Sequence, residues 1–300
     1  MKGVRHLIHF VALGLFWGAS PSFYGYWGQA GVPASHVIGY TGIGLALALA
    51  AANAMARGGW GETRSLMRYG FICAFLMNMP FAWSITLGLH VPPPELALVF
   101  STSPIVNFAL GVAMGRDRAS LRRVLAILLG FAASAILVVS RQHVSGGFSW
   151  WLVAAFINPF LWAAYNGYAQ SQWPRGAGTF AVGAAESFWS AMLAMPFLFF
   201  VSPPWSTTYH GDWAVLSLLC ATVMWTVERI SFFTLIREKG ASYTSQAIYL
   251  SAPAAVLIAV IFFGGASDAW LWASLALVMA ALYFNNSGSR RVGNSLGSEA

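Results

Sequence analysis

The chain has 300 residues, of which 58% are hydrophobic and only 8% are charged, and it carries a formal net charge of +7. Soluble domains carry about 25% charged residues, so the composition excludes an ordinary soluble protein. A helix needs about 20 apolar residues to cross a hydrocarbon core of roughly 30 Å, and the chain consists largely of such runs. We therefore predict an all-α integral membrane protein.

Ten apolar runs follow one another along the chain, and the short connections between them leave no room for an inserted soluble domain. The predicted transmembrane spans are residues 6–26, 36–56, 68–88, 93–114, 121–140, 148–169, 179–201, 212–235, 242–264 and 268–286. The last segment, 287–300, is polar and is predicted to be a disordered cytoplasmic tail.

The cationic residues are distributed unevenly between the two sets of connections. If the N-terminus is cytoplasmic, all of the 16 lysine and arginine residues except Arg141 fall on the cytoplasmic side. Membrane insertion favours this asymmetry, so we predict that both termini are cytoplasmic and that the chain spans the cell inner (cytoplasmic) membrane. The positive charge then indicates a lipid-facing cytoplasmic surface and not a nucleic-acid partner.

Landmarks of one apolar segment recur 149 residues later, since Pro104 and Gly115 return as Pro253 and Gly264. A fixed offset of this kind indicates internal duplication. Five spans per copy is an odd number, so the second copy must enter the membrane inverted. Inverted repeats are characteristic of secondary transporters, which bind substrate near the midplane between the copies. The predicted repeats are residues 1–144 and 145–286.

Short motifs in both halves resemble those of a known transporter group. They are Trp17-Gly18-Ala19-Ser20-Pro21 in span one, Ser103-Pro104 with Gly115 in span four, Leu161-Trp162-Ala163-Ala164-Tyr165 in span six, and Ser251-Ala252-Pro253 with Gly264 in span nine. The pattern resembles the drug/metabolite transporter superfamily, in particular its ten-helix EamA-type exporters. Span six looks closest to exporters of aromatic and other neutral amino acids.

The resemblance implies two five-helix repeats around a central cavity and export by alternating access. It also implies that spans one, three, four, six, eight and nine surround the cavity. The chain departs from the family where a Gly-Glu pair commonly follows spans four and nine. Those places read Gly115-Arg116-Asp117 and Gly264-Gly265-Ala266, so the role of that glutamate is not carried over.

Several helical faces combine aromatic surface with one or two polar groups, which is how ligand pockets are built. The candidate substrate-binding residues are Trp17, Ser20, Tyr24, Asn78, Trp83, Phe100, Ser103, Asn107, Trp162, Tyr165, Trp225, Glu228 and Tyr249. An alternative interpretation is that these faces pack helix against helix. Pro104 and Pro253 occupy equivalent positions, and we predict matched kinks there that either gate the pathway or are fixed by packing.

Few ionisable groups lie deep within the spans, and each is costly in hydrocarbon unless it is paired or hydrated. Glu186 either forms a structural ion pair with Arg229, or one of Glu186 and Glu228 is protonated and deprotonated to couple transport to the proton gradient. So few deep charges cannot favour a highly charged solute such as a nucleotide. A neutral or zwitterionic solute fits better.

The first functional hypothesis is therefore a monomeric secondary transporter that exports aromatic and other neutral amino acids or similar small metabolites. A second transporter hypothesis is efflux of apolar or cationic drugs. A third, from another class, is a membrane enzyme that modifies lipids, but the sequence has no nucleophile motif, metal-ligand spacing or phosphate-binding loop to support it. We predict no catalytic residue, cofactor or metal site, and lipid as the surrounding partner.

Overall fold

The computed structural model of the protein describes residues 2–100, 149–245 and 269–287, together with isolated positions between 102 and 136 and between 247 and 261. Over these residues the chain is helical, and the only β-type pairing there is one bridge between Trp60 and Ala177. The helices are α1 (Lys2–Gln29), α2 (Ala34–Met55), α3 (Thr63–Gly88), α4 (Pro93–Phe100), α5 (Trp150–Ala155), α6 (Ile157–Ser171), α7 (Thr179–Phe200), α8 (Ala214–Lys239), α9 (Ala241–Ser245) and α10 (Ala269–Ser287).

Five of these helices are long and apolar enough to cross a membrane. Their apolar lengths of 22 to 26 residues correspond to roughly 33–39 Å of helix, which exceeds the hydrocarbon thickness. The prediction of an all-helical chain is confirmed for the described residues, and the five apolar helices are compatible with a multi-pass membrane protein. The five segments are Val4–Gln29, Ala34–Met55, Thr63–Gly88, Thr179–Phe200 and Ala214–Lys239. They coincide with predicted spans one, two, three, seven and eight, whereas most of spans five and nine lies outside the described residues.

The predicted sixth span is divided in two. Helix α5 ends at Ala155 and α6 begins at Ile157, with Phe156 between them in helical backbone geometry (φ −67°, ψ −11°). Pro159 explains the break, because proline donates no backbone hydrogen bond and its ring crowds the carbonyl of the residue four positions earlier, which is Ala155. Continuous helical hydrogen bonding is therefore lost at this point, although the backbone of Phe156 stays in the helical region.

Helix α7 packs along both α2 and α3, and α1 packs against α3 and α8. These helices approach closely where one of them carries a small residue. At Gly70 on α3, an added Cβ would lie 2.8 Å from the carbonyl carbon of Ala185 on α7. Because lipid supplies no hydrophobic force between helices, such backbone-to-backbone contact is a main source of attraction between them.

One end of the bundle is joined by charged side chains. Arg5 on α1 lies 2.5 Å from a carboxylate oxygen of Glu238 near the end of α8, and His6 on α1 lies 2.6 Å from the same oxygen. The Arg5 side chain is half-exposed, so the ion pair is accessible to water. These contacts link α1 to α8.

The opposite end is joined by a hydrogen-bond network around His36, which is fully buried at the start of α2. Its Nε2 lies 2.5 Å from the Ser202 carbonyl oxygen and its Nδ1 lies 2.6 Å from the Tyr209 hydroxyl. Burial raises the pKa of Tyr209 to about 12, so its hydroxyl keeps its proton at neutral pH. The Ser202 carbonyl can only accept, so Nε2 carries a proton and donates to it.

Substitution of Gly70 tests the close contact between α3 and α7. We expect Gly70→Ala to lower the thermal unfolding temperature in detergent, because overpacking of a tight contact costs about 1–3 kcal/mol. Gly167→Ala on α6 is the matched control, since a Cβ there would meet no atom within 4 Å. An unchanged unfolding temperature for Gly70→Ala would show that the two helices separate without cost.

Candidate functional site

A cavity of about 100 Å³ lies inside the bundle, lined by residues of α1, α2, α3, α4, α6, α7, α8 and α9. One water molecule needs roughly 10–15 Å³ of such space, so the cavity can hold several waters or a small solute. Its lining residues are Trp17, Ser20, Tyr24, Ile38, Thr41, Gly42, Leu45, Met77, Phe81, Phe100, Ser103, Trp162, Asn166, Glu186, Ser187, Ser190, Trp225, Glu228, Arg229, Ser245, Ile248 and Ser251.

Aromatic rings form one part of the wall, and they hold one another edge to face. The Trp225 ring lies 4.9 Å from the Phe81 ring at 76°, and Phe81 lies 5.7 Å from Tyr24 at 82°. Trp225 also donates its indole N–H to the Ser20 hydroxyl at 3.3 Å. Edge-to-face pairs of this kind are favourable because the positive edge of one ring meets the negative face of the next. The wall is therefore fixed in shape.

The charged part of the wall consists of two carboxylates and one guanidinium. Arg229 lies 3.6 Å from a carboxylate oxygen of Glu186 and 3.5 Å from one of Glu228. All three side chains are at least nine-tenths buried. Arg229 also donates to the Tyr165 hydroxyl at 3.0 Å and contacts the Met77 sulfur. The guanidinium thus forms ion pairs with two acidic side chains, one on α7 and one on α8.

The two carboxylates differ in how they are held. Glu228 accepts the indole N–H of Trp17 at 2.8 Å. Neither oxygen of Glu186 accepts a hydrogen bond from the part of the chain that the structure describes. A buried carboxylate oxygen without a donor costs free energy, unless water or a ligand supplies the hydrogen bond. Glu186 is therefore the lining residue with both carboxylate oxygens free of a donor in the described residues, while Glu228 and Asn166 each have one side-chain oxygen free of a donor there.

The cavity contains most of the residues that the sequence identified as candidates. Trp17, Ser20, Tyr24, Phe100, Ser103, Trp162, Trp225 and Glu228 all line it, and so do Glu186 and Arg229. Four further predicted residues lie outside the described residues, namely Asn107, Tyr249 and the predicted kinks Pro104 and Pro253.

Three candidates lie away from the lining. Asn78 on α3 donates to the Ser190 carbonyl on α7 at 3.1 Å and accepts the Ser190 hydroxyl, so it joins two helices. Trp83 donates to the Ala154 carbonyl at 3.3 Å and packs beside Trp151. Tyr165 is fully buried behind the wall, where it stacks on Phe232 and receives the hydrogen bond from Arg229. These residues support the site from outside the cavity.

The sequence interpretation missed the contribution of α2, which lines the cavity with Ile38, Thr41, Gly42 and Leu45. Their spacing of three, four and seven residues is the helical signal that could have identified this face. This face of α2 contains only small or apolar groups apart from the Thr41 hydroxyl, so its sequence is typical of a helix-packing surface. Asn166 was also missed, although it follows Trp162 by one helical turn.

Comparisons with known proteins give the fold and no identity. No family model matches the sequence, and no curated protein matches it. A solved crystal structure of another protein is similar over 95% of this chain and 98% of that chain, with a TM-score of 0.68 and 17% sequence identity. A likeness at this identity shows the fold alone. The fold and the cavity define a multi-pass helical membrane protein with a polar site inside its bundle.

Removal of the guanidinium should destabilise the protein, because Arg229→Leu leaves two buried carboxylates without a cation. Loss of one partner from a buried ion pair costs about 3–5 kcal/mol, so the unfolding temperature in detergent should fall clearly. Arg64→Leu, at an exposed position of α3, is the control and should melt with the wild type. Adding Glu186→Gln and Glu228→Gln to Arg229→Leu should restore most of the loss. An Arg229→Leu protein that melts with the wild type would contradict this account.

Proposed function

We propose that the chain is a secondary transporter of the drug/metabolite transporter superfamily, of the EamA type. In this proposal ten transmembrane helices form two inverted five-helix repeats, with both termini in the cytoplasm. The protein exports aromatic and other neutral amino acids, or similar small metabolites, across the cytoplasmic membrane by alternating access. The observation that carries the proposal is a cavity inside a membrane bundle, walled by aromatic rings and by a few buried polar groups.

The origin of the lining residues supports a transport pathway. Helices α1, α2 and α3 belong to the first half of the chain, and α6, α7 and α8 belong to the second. A solute in the cavity would therefore contact both halves. Movement of one half against the other would open the same site to either side of the membrane, which is the requirement for alternating access.

The contacts at the two ends of the bundle support the same mechanism. Arg5 pairs with Glu238 at one end, and His36 bonds to Tyr209 at the other. Each contact joins the first half of the chain to the second through a few polar atoms. Such contacts can break and form again as a rigid half moves, which is how many hinge-type closures work.

The cavity chemistry supports a small, largely apolar solute. Its volume of about 100 Å³ is below the roughly 300–1,000 Å³ of pockets that enclose drug-sized ligands. Its walls offer aromatic surface together with hydroxyl and amide groups. A highly charged solute would need several cationic side chains to replace its hydration, and Arg229 is the one cationic side chain among the described lining residues.

A second candidate function is the efflux of cationic organic compounds. It is favoured by one observation, which is that two buried carboxylates share a single guanidinium. When all three groups are ionised, the two carboxylates and the guanidinium of this cluster carry one negative charge that no cation among the described lining residues balances. The two candidates differ in the solute and share the cavity and the alternating mechanism.

Counterflow into liposomes that contain the purified protein tests the proposal. We expect labelled Phe or Trp to accumulate, and we expect Trp162→Ala to reduce the rate about tenfold, which corresponds to about 1.4 kcal/mol of lost aromatic contact. Trp205→Ala is the control, because Trp205 is 76% exposed in the connection between α7 and α8.

The same assay separates the alternatives. Labelled Leu, Met and Thr define how far neutral amino acids are accepted, and a cationic dye represents the second candidate. Movement of the dye without any amino acid would replace the first candidate by the second. Turnover of a lipid with no movement of any solute would contradict transport altogether.

A further inference from the structure

We infer that Glu186 binds the ammonium group of the solute, so that a protonated amine on an aromatic or apolar body is what the cavity recognises. This inference rests on the proposed transport function and adds the chemical group that the site selects. It assigns Glu186 to the solute, and it assigns Arg229 to holding the two carboxylates in place.

The two carboxylate oxygens of Glu186 are placed to accept hydrogen bonds from a solute. The residue is 1% exposed and lines the cavity, yet within the described part of the chain neither oxygen accepts a hydrogen bond. Glu228 is different, because the Trp17 indole N–H bonds to it at 2.8 Å. Of the two cavity carboxylates, Glu186 has both oxygens without a donor in the described residues, whereas Glu228 has one. An ammonium group has three donors to offer them.

The charges around the cavity favour a cationic group on the solute. Arg229 lies at nearly the same distance from Glu186 and Glu228, 3.6 and 3.5 Å, and it is the one cation among the described lining residues. Two carboxylates and one guanidinium give a net charge of −1 when all are ionised. A solute with one positive charge balances this cluster, whereas an anionic solute adds repulsion in a medium of low dielectric.

Aromatic rings line the same cavity as Glu186. Trp17 and Trp225 line it together with Glu186, and Tyr24 and Phe81 continue the apolar wall. An indole face attracts an ammonium group through its quadrupole, and the remaining ring surface covers an apolar body. The lining thus combines a carboxylate for the charged end of an amine with rings for its other end.

If Glu186 binds the ammonium group, the affinities for different solutes follow another order than in a site that recognises whole amino acids. The ammonium group is the required feature, and the carboxylate of an amino acid is not. An amine without a carboxylate, such as 2-phenylethylamine, should bind at least as well as phenylalanine. The corresponding acid without an amine, 3-phenylpropionate, should bind poorly because it brings only a negative charge.

Isothermal titration calorimetry of the full-length protein in detergent at pH 7 tests this order with these three compounds. We expect 2-phenylethylamine and phenylalanine to bind, and 3-phenylpropionate to bind at least tenfold more weakly. Glu186→Gln should weaken binding of both amines at least tenfold, and Glu186→Asp should restore part of it. Glu62→Gln is the matched control, because Glu62 is an exposed carboxylate at the start of α3.

The outcomes distinguish this inference from the proposed function. If 3-phenylpropionate binds as well as the amines, or if Glu186→Gln binds amines like the wild type, the inference is overturned, and counterflow of amino acids would still support transport. If none of the three compounds binds and no solute shows counterflow, both proposals fail. The ligand series on the wild-type protein needs no variant, so a Glu186 variant that misfolds does not remove the test.

Discussion

The need to neutralise charge inside a membrane governs the arrangement of the described bundle. Arg229 is buried on α8, and its guanidinium meets Glu186 from α7, Tyr165 from α6 and the Met77 sulfur from α3. Glu228 extends this set to α1 through the indole of Trp17. Arg229 and its neighbour Glu228 together therefore connect five helices. In hydrocarbon, an arrangement that left any of these charges alone would cost several kcal/mol.

That constraint also explains why the centre of the bundle contains a cavity. Apolar packing alone could fill the space between helices, because lipid tails and leucine side chains are equally apolar. A cluster with more carboxylates than cations cannot be packed dry without a large desolvation cost. Space of about 100 Å³ beside the cluster allows water or a solute to complete its hydrogen bonds. The cavity thus accompanies the polar cluster, because the cluster needs space for water or a solute.

Hydropathy was sufficient to predict the membrane helices, since length and composition decide whether a segment spans. Helical spacing was sufficient to predict that Trp17, Ser20 and Tyr24 share one face, and all three line the cavity. Spacing could not show which neighbour a face meets. Trp83 found its acceptor in the Ala154 carbonyl, away from the cavity, and the apolar stripe of α2 gave no chemical sign that it faced a polar site. Those facts depend on helix packing and not on local sequence.

The cavity lies where two hydrogen bonds join α1 to α8. Binding of a solute in the cavity could therefore affect the contact between these two helices. Trp17 on α1 donates to Glu228 on α8, and Trp225 on α8 donates to Ser20 on α1. A solute in the cavity would contact the Trp17 and Trp225 rings that make these two bonds. A ligand shifts an equilibrium between two arrangements only when it interacts differently with each. In the proposed transporter the two indole N–H groups satisfy that condition, because the contacts that a solute alters are also contacts that hold the two halves together.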